Sequence, residues 1–243
     1  LGLSDTAAMA LERAAASESD ESLRLYRRVV EVYRDIIGSP DEARTAWEAI
    51  AELTGGDSDS YEALGDIYRR SKLFSELVEL HEKMLPSLDE ERRGGALREI
   101  VDAQRGPLEN PEMAFVTACR LYREQPDDVE VSDILETLAT DLGCLDEVVA
   151  LIEDQVDGIT DSRVRLELFM KLGRLHDTAL SEPDEAEASY ERALEIEPFH
   201  PGALEGLMKL AIADERFDKQ LNVLERKIRG AQSIDEKREQ LLR

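Results

Sequence analysis

Residues 59–86 read DSYEALGDIYRRSKLFSELVELHEKMLP. Tyr61, Leu64, Gly65 and Tyr68 recur at intervals of three and four residues, the spacing that gives a helix one apolar face. Ser71–Leu73 interrupt the pattern, and Phe74, Leu77, Leu80, His81 and Met84 then form a second stripe of the same kind. The stretch predicts two antiparallel helices joined by a tight turn. Gly65 predicts close approach of the partner helix, at a point where a side chain would not fit.

The hairpin is one of a series. Pro-Asp-Glu-Ala occurs at Pro40–Ala43 and Pro183–Ala186, with a degenerate copy, Pro111-Glu112-Met113-Ala114, between them; the alanines are 71 and 72 residues apart. Leu3-Ser4-Asp5, Phe74-Ser75-Glu76, Leu145-Asp146-Glu147 and Phe217-Asp218-Lys219 keep the same cadence, 71, 71 and 72. Fixed periods of this size mark stacked repeats, here two units of about 36 residues per period. Pro40, Pro111 and Pro183 open second helices, where a missing N–H costs nothing, and the acids after them favour the positive end of the helix dipole. Pro126 and Pro198 close units, Pro201 opens one, and Pro86 and Pro107 fall in connections, so no proline needs a helix interior. Long strand-like alternation is absent, and the whole chain reads as helical.

Tyr61-x2-Leu64-Gly65-x2-Tyr68 resembles the first half of the tetratricopeptide repeat. Phe169-x2-Leu172-Gly173-x2-His176, followed by Ala186-x3-Tyr190-x2-Ala193 and Pro198, resembles a complete copy. Ala43-x3-Trp47 and Ala114-x3-Ala118 with Pro126 repeat the second half, and weaker copies run through Leu204, Leu207, Phe217 and Leu224 and through Leu135, Gly143, Leu145 and Ile152. The resemblance covers nearly all of the chain. It implies an all-α solenoid, a right-handed superhelix of antiparallel helix pairs. Full repeats are expected at about 20–55, 57–88, 91–126, 128–159, 162–198 and 200–231, with partial units at 1–17 and 233–243, in a single solenoid over 1–243. The units carrying Pro-Asp-Glu-Ala hold about one residue more than usual, which is expected between their helices. An array that starts and stops in mid-pattern is expected to be a segment of a longer protein, since solenoids end in polar caps.

Composition narrows the function. With 30 Lys and Arg against 55 Asp and Glu, the formal charge is −25, which opposes binding to nucleic acid or to an anionic membrane surface. Hydrophobic residues at 42% suffice for a core, and only 22 of 243 residues are Gly or Pro, too few for a loop-rich all-β chain. No apolar run approaches the roughly 18 residues of a membrane span, and no basic-then-apolar leader opens the chain. Cys119 and Cys144 read as reduced thiols, and the cytoplasm is the expected compartment.

Motifs for chemistry are lacking: no Gly-rich phosphate loop, G-x-S-x-G or H-E-x-x-H is present. His81, His176 and His200 are scattered, the first two on apolar faces, and none has a metal-ligating partner at sequence spacing. No catalysis, metal or cofactor is expected. The aromatics Tyr26, Tyr33, Trp47, Tyr61 and Tyr68 suggest a base-stacking platform, but the repeat register assigns them to the core. The negative charge also separates the chain from pentatricopeptide arrays that serve RNA, and the scarcity of tryptophan from half-tetratricopeptide ones.

The surface remains. The resemblance implies that the first helix of each pair lines a concave groove. Its outward residues are Arg24, Arg27, Glu31 and Arg34 in the first unit, Glu62, Asp66, Arg69 and Arg70 in the second, and Arg98, Asp102 and Arg105 in the third. Glu130, Asp133, Thr137 and Asp141 follow in the fourth, Met170, Arg174 and Asp177 in the fifth, and Glu205, Lys209 and Ile212 in the sixth. The early arginines suit carboxylates through a bidentate fork, or else pair along their own helices, as Arg27–Glu31 and Asp66–Arg70 would allow. The Lys and Asn clamp with which some relatives hold chaperone C-termini is not carried over, because the only asparagines, Asn110 and Asn222, lie outside first helices. The expected function is a non-catalytic protein-interaction scaffold that holds a peptide or helix of a partner protein in the groove. Its rivals are a regulatory segment of a larger enzyme, a self-assembly module, and an acidic binder of basic partners.

Overall fold

The computed structural model describes residues 19–231, together with Thr6, residues 9–11, Arg13 and Ala14. The partial unit expected over 1–17 is described only at those few positions, and the one over 233–243 lies outside the described residues, as does Leu3-Ser4-Asp5. The described residues are helices and turns with no strand. The chain divides into two units, 1–113 and 114–243.

In the first unit, α1 (Ser19–Glu31) runs into a π-helical turn, Val32–Ile37, and a 3-10 turn, Pro40–Ala43, leads into α2 (Arg44–Thr54). Then come α3 (Ser58–Ser71), α4 (Phe74–Met84) and α5 (Glu90–Arg105). The division falls in the first turn of α6 (Pro111–Glu124). The second unit continues with α7 (Val129–Leu142), α8 (Leu145–Val156), α9 (Ser162–Leu175) with a π-helical turn at His176–Leu180, α10 (Pro183–Ile196), α11 (Pro201–Ala213) and α12 (Phe217–Gly230).

The local chemistry of the ends explains these boundaries. Asp57, Asp89, Asp128 and Asp161 accept the free N–H groups that open α3, α5, α7 and α9, with oxygens 2.7–3.0 Å from Ser60, Arg92, Glu130 and Arg163 nitrogens. His200 does the same for α11, its Nδ1 accepting from the Ala203 N–H at 3.2 Å. Each turn between a first and a second helix holds one residue in the left-handed region: Gly38, Lys72, Glu109, Gly143, Ser181 and Glu215. These six repeat the 71- and 72-residue cadence of the sequence motifs. In the two Pro-Asp-Glu-Ala hairpins the extra residue is not between the helices, as expected. It widens the end of the first helix into a π-helical turn, the usual way a helix absorbs a one-residue insertion.

The core is a small-against-large interlock. The recurring alanines Ala43, Ala114 and Ala186 are all buried at 1% exposure or less, so second helices meet their neighbours through a methyl group. Tyr26, Val29 and Val30 of α1 and Tyr33 of the π-helical turn pack with Ala46 and Ile50 of α2, and Leu64, Ile67 and Tyr68 of α3 with Leu77 of α4. Of the aromatics assigned to the core, Tyr26, Tyr33 and Tyr68 are buried there, Trp47 is partly buried, and Tyr61 is turned toward a cleft.

The reading of Gly65 requires correction. A Cβ there would meet only the flexible guanidinium of Arg69 of its own helix, at 3.4 Å. The close approach occurs at the matching position of α9 instead. A Cβ on Gly173 would fall 2.6 Å from the ring of Tyr190, and one on Gly206 of α11 would fall 2.5 Å from the same ring. Tyr190 is thus a wedge held between two glycine notches, while the Tyr122 hydroxyl of α6 is buried with no hydrogen-bond partner among the described residues.

Two outcomes follow, both measurable by urea unfolding. Gly173→Ala and Gly206→Ala should each destabilise by about 1–3 kcal/mol through overpacking, whereas Gly65→Ala should be neutral or stabilising by up to about 1 kcal/mol through helix propensity. Tyr122→Phe should not destabilise, because it removes an unmet buried hydroxyl; a loss above about 1 kcal/mol would show that the hydroxyl has a partner.

Candidate partner-binding clefts

Between α3 and α5, over the C-terminal half of α4, lies an open cleft of about 580 Å³. Asp57 and Asp89 fix where its two walls begin. One wall carries Tyr61, Glu62 and Arg69, the other Arg92, Gly95, Ala96 and Glu99, and His81 and Met84 form the floor. Gly95 has no atom within 4 Å of a built Cβ, so this wall is open to an incoming group.

A hydrogen-bonded chain crosses the cleft. His81, 2% exposed, lies with Nδ1 2.5 Å from the Tyr61 hydroxyl and Nε2 2.5 Å from Oε2 of Glu99. A carboxylate only accepts, so Nε2 carries a proton toward Glu99, and with the ring neutral the Tyr61 hydroxyl donates to Nδ1. The Arg69 guanidinium grips Glu99 with two bonds of 2.7 and 3.1 Å and donates to Asp66 at 2.7 Å. The bond from His81, with the help of Arg69, holds the Glu99 carboxyl at about 2, well below its ordinary value. Burial, then the Glu99 charge, pushes the Tyr61 phenol upward. The row of hydroxyl, imidazole and carboxylate has the order of a nucleophile relay, but a phenol raised in this way keeps its proton. The arrangement ties α3, α4 and α5 together.

A smaller cleft of about 170 Å³ lies between α1 and α3, with Trp47 of α2 on its floor and Arg34, Asp66 and Arg70 at its rim. In the second unit a cleft of about 410 Å³ between α7 and α9 is lined by Asp133, Glu167, Met170, Lys171, Arg174 and Tyr190. Lys171 is 9% exposed, which is rare for lysine. It is held by Asp133, by Ser132 at 2.7 Å and by Glu136 at 3.6 Å.

The outward residues expected on first helices therefore separate. Glu62 and Arg69 line the α3/α5 cleft, and Arg34, Asp66 and Arg70 the α1/α3 cleft. Arg98, Asp102 and Arg105 line neither: the cleft-facing stripe of α5 is Arg92, Gly95, Ala96 and Glu99, offset by about 100° around the helix. Arg24, Arg27 and Glu31 are exposed on α1. Arg27 pairs with Asp57 at 3.6 Å rather than with Glu31, which binds Arg28 at 2.6 Å. Arg70 meets Asp41 at 3.1 Å and reaches only the backbone carbonyl of Asp66. Arg34 is bound to Asp35 and Arg105 to Asp102.

The fold gives two of the histidines acidic partners. His81 has Glu99, and His176 has Glu153 and Glu182. No group of three potential metal ligands occurs among the described residues. Both cysteines are free. Burial pushes the Cys119 thiol up to about 11 and the Cys144 thiol upward, away from the reactive thiolate. No helix of the described residues is long and apolar enough to cross a membrane.

The Glu99 tie sets a pH window. A carboxylate depressed in the folded state contributes stability that is present above its ordinary value and lost as pH falls through the folded one. The contribution should therefore disappear between about 4.5 and about 2. Acid titration followed by amide NMR of α3–α5 should show this loss in the wild type. Glu99→Gln should start weaker at neutral pH and lack that component; identical acid profiles would exclude the tie.

The tetratricopeptide repeat profile matches residues 60–96, which span α3, α4 and the start of α5. A comparison with curated proteins finds no match. Among solved structures, that of Naa15/Naa10 bound to HypK-THB aligns with 96% of this chain and 37% of its own, at 17% identity and a TM-score of 0.50. YrrB, a TPR protein with an unusual peptide-binding site, aligns over 78% of this chain and 97% of its own, at 18% identity and a TM-score of 0.38. TTC0263, a thermophilic TPR protein in Thermus thermophilus, aligns over 92% and 97%, at 21% identity and a TM-score of 0.30. The chain spans little more than a third of the Naa15/Naa10 chain, and at this identity the likeness is one of fold. Residues 60–96 match the tetratricopeptide repeat, and helix pairs run on either side of them from Ser19 to Gly230, so the chain carries a tetratricopeptide repeat within an array of helical hairpins.

Proposed function

We propose that this chain is a non-catalytic protein-interaction scaffold and that the clefts between successive first helices receive a peptide or helix of a partner protein. The observation that carries this reading is the α3/α5 cleft. It is open, Gly95 in its wall leaves room, and its polar groups are fixed by the Tyr61–His81–Glu99–Arg69 chain. Preorganised walls reduce the entropy cost of binding, and small residues let a partner side chain reach the floor. Partner-facing residues in this reading are Glu62, Arg69 and Arg92 here, with Arg34, Asp66 and Arg70 in the neighbouring cleft.

The placement of the arginines changes what the groove selects. Arg34, Arg69 and Arg70 are each already bound to a carboxylate of the chain. A partner that offers only acids competes with those internal ligands. A segment that inserts an apolar side chain beside Gly95 and Ala96 and makes few charged contacts at the rim does not.

Peptides selected from a random display library against the wild-type chain, and counter-screened against Gly95→Trp, test this proposal. The indole occupies the opening without contacting the core, and circular dichroism and urea unfolding confirm that the variant stays folded. Selected peptides should lose at least about tenfold in affinity, or about 1.4 kcal/mol. If every selected peptide binds Gly95→Trp as well as the wild type, the cleft is not the binding site.

A further inference from the structure

We propose that His176 is an acid-strengthened tie that makes the α8–α10 region of the second unit respond to pH, whatever the clefts bind. In the repeat register, Tyr68 of α3 and His176 after α9 close the same motif, Leu-Gly-x2-aromatic. Both side chains are buried, and both reach back to a carboxylate on the preceding second helix. The Tyr68 hydroxyl donates to Oε1 of Glu48 on α2 at 3.0 Å. The Nε2 of His176 lies 3.2 Å from Oε1 of Glu153 on α8. The second unit therefore keeps the connection of the first and replaces a phenol, which does not change charge near neutral pH, with an imidazole, which does.

His176 has a second acid. Its Nδ1 lies 2.9 Å from Oε2 of Glu182, in the connection between the π-helical turn and α10. The ring is 3% exposed, while Glu153 and Glu182 are about half exposed. A neutral imidazole carries one N–H and can donate to only one of two carboxylates, leaving the other facing a lone pair. The imidazolium donates to both. Uptake of one proton at the vacant ring nitrogen therefore completes a bridge that joins α8, the π-helical turn and the entrance to α10, and loss of that proton opens one arm. Glu153 faces the ring from α8 and Glu182 from the connection. Asp184 and Glu185, which open α10, are exposed. Asp177, next in the turn, is bound to Lys209 at 2.6 Å, and Arg174 of α9 to Glu136 at 2.8 Å.

The test is amide hydrogen exchange of the whole chain at about pH 5.5 and about pH 7.5, corrected for intrinsic rate and read over Leu175–Glu182. Imidazole 15N shifts of His176 are recorded alongside. Wild type should be protected about three- to tenfold more strongly at the acid pH, with both ring nitrogens protonated there. His176→Tyr, which installs the side chain of the first unit, should abolish the difference. Glu182→Gln, a conservative change on an exposed side chain, should reduce it and decides the matter if His176→Tyr does not fold. The ordinary carboxylates stay ionised across this window. His81 and His200 are present in every variant, so the difference from wild type isolates His176. A protection ratio near one in wild type, or an unchanged ratio in both variants, overturns the proposal.

Discussion

Everything in this fold depends on the burial of each hairpin's apolar stripe against its neighbours. Two short amphipathic helices cannot cover their own nonpolar surface, so a helical hairpin of this length is stable only within a stack. The contacts are made close by alternating very small and very large residues. The alanine of Pro-Asp-Glu-Ala gives way to a neighbour, and Tyr190 fills the space that Gly173 and Gly206 leave. Such a joint tolerates little change in volume.

Charge is arranged on top of this packing. In a chain of net charge −25, cations are scarce, and many of them tie one hairpin to the next. Arg27 meets Asp57, Arg70 meets Asp41, Arg69 meets Glu99, Arg174 meets Glu136 and Lys209 meets Asp177. Arg226 and Lys219 of α12 reach Glu191 and Glu187 of α10. Exposed pairs of this kind contribute little stability each, so their effect is on register and orientation. They also neutralise the guanidinium groups that a reading of first-helix faces would offer to an acidic ligand. The α3/α5 cleft that results has polar walls fixed by internal bonds, with Gly95 and Ala96 between them.

Much of this was legible in the residues. The three-four spacing of Tyr61, Leu64 and Tyr68, the prolines at helix starts, and the 71- and 72-residue cadence mark helix pairs and their turns because helix periodicity and capping are local effects. The candidate surface was legible only in part. Glu62, Arg69, Arg34, Asp66 and Arg70 do border clefts, but α5 turns Glu99 inward and carries Arg98, Asp102 and Arg105 off to the side. A rotation of one residue around a helix axis is set by packing against α3 and α4, and the local pattern on α5 does not encode it. For the same reason Gly65 and Gly173 occupy one motif position yet differ: only the second faces an aromatic wedge, and that wedge is 17 residues away.

Sequence alone thus determined the elements: where helices start and stop, that they pair, that the pairs repeat, and that acids dominate the surface. These follow from backbone propensity, apolar periodicity and composition, which act over a few residues at a time. Tertiary structure alone decided the partners. It placed His81 between Tyr61 and Glu99, 20 and 18 residues away, and His176 between Glu153 and Glu182, 23 and 6 residues away. It also absorbed the extra residue of two hairpins into π-helical turns rather than into a connection. Hydrogen bonds between helices depend on rotation and stagger, which only the packed stack fixes, and so the chemistry of the clefts emerged with the fold.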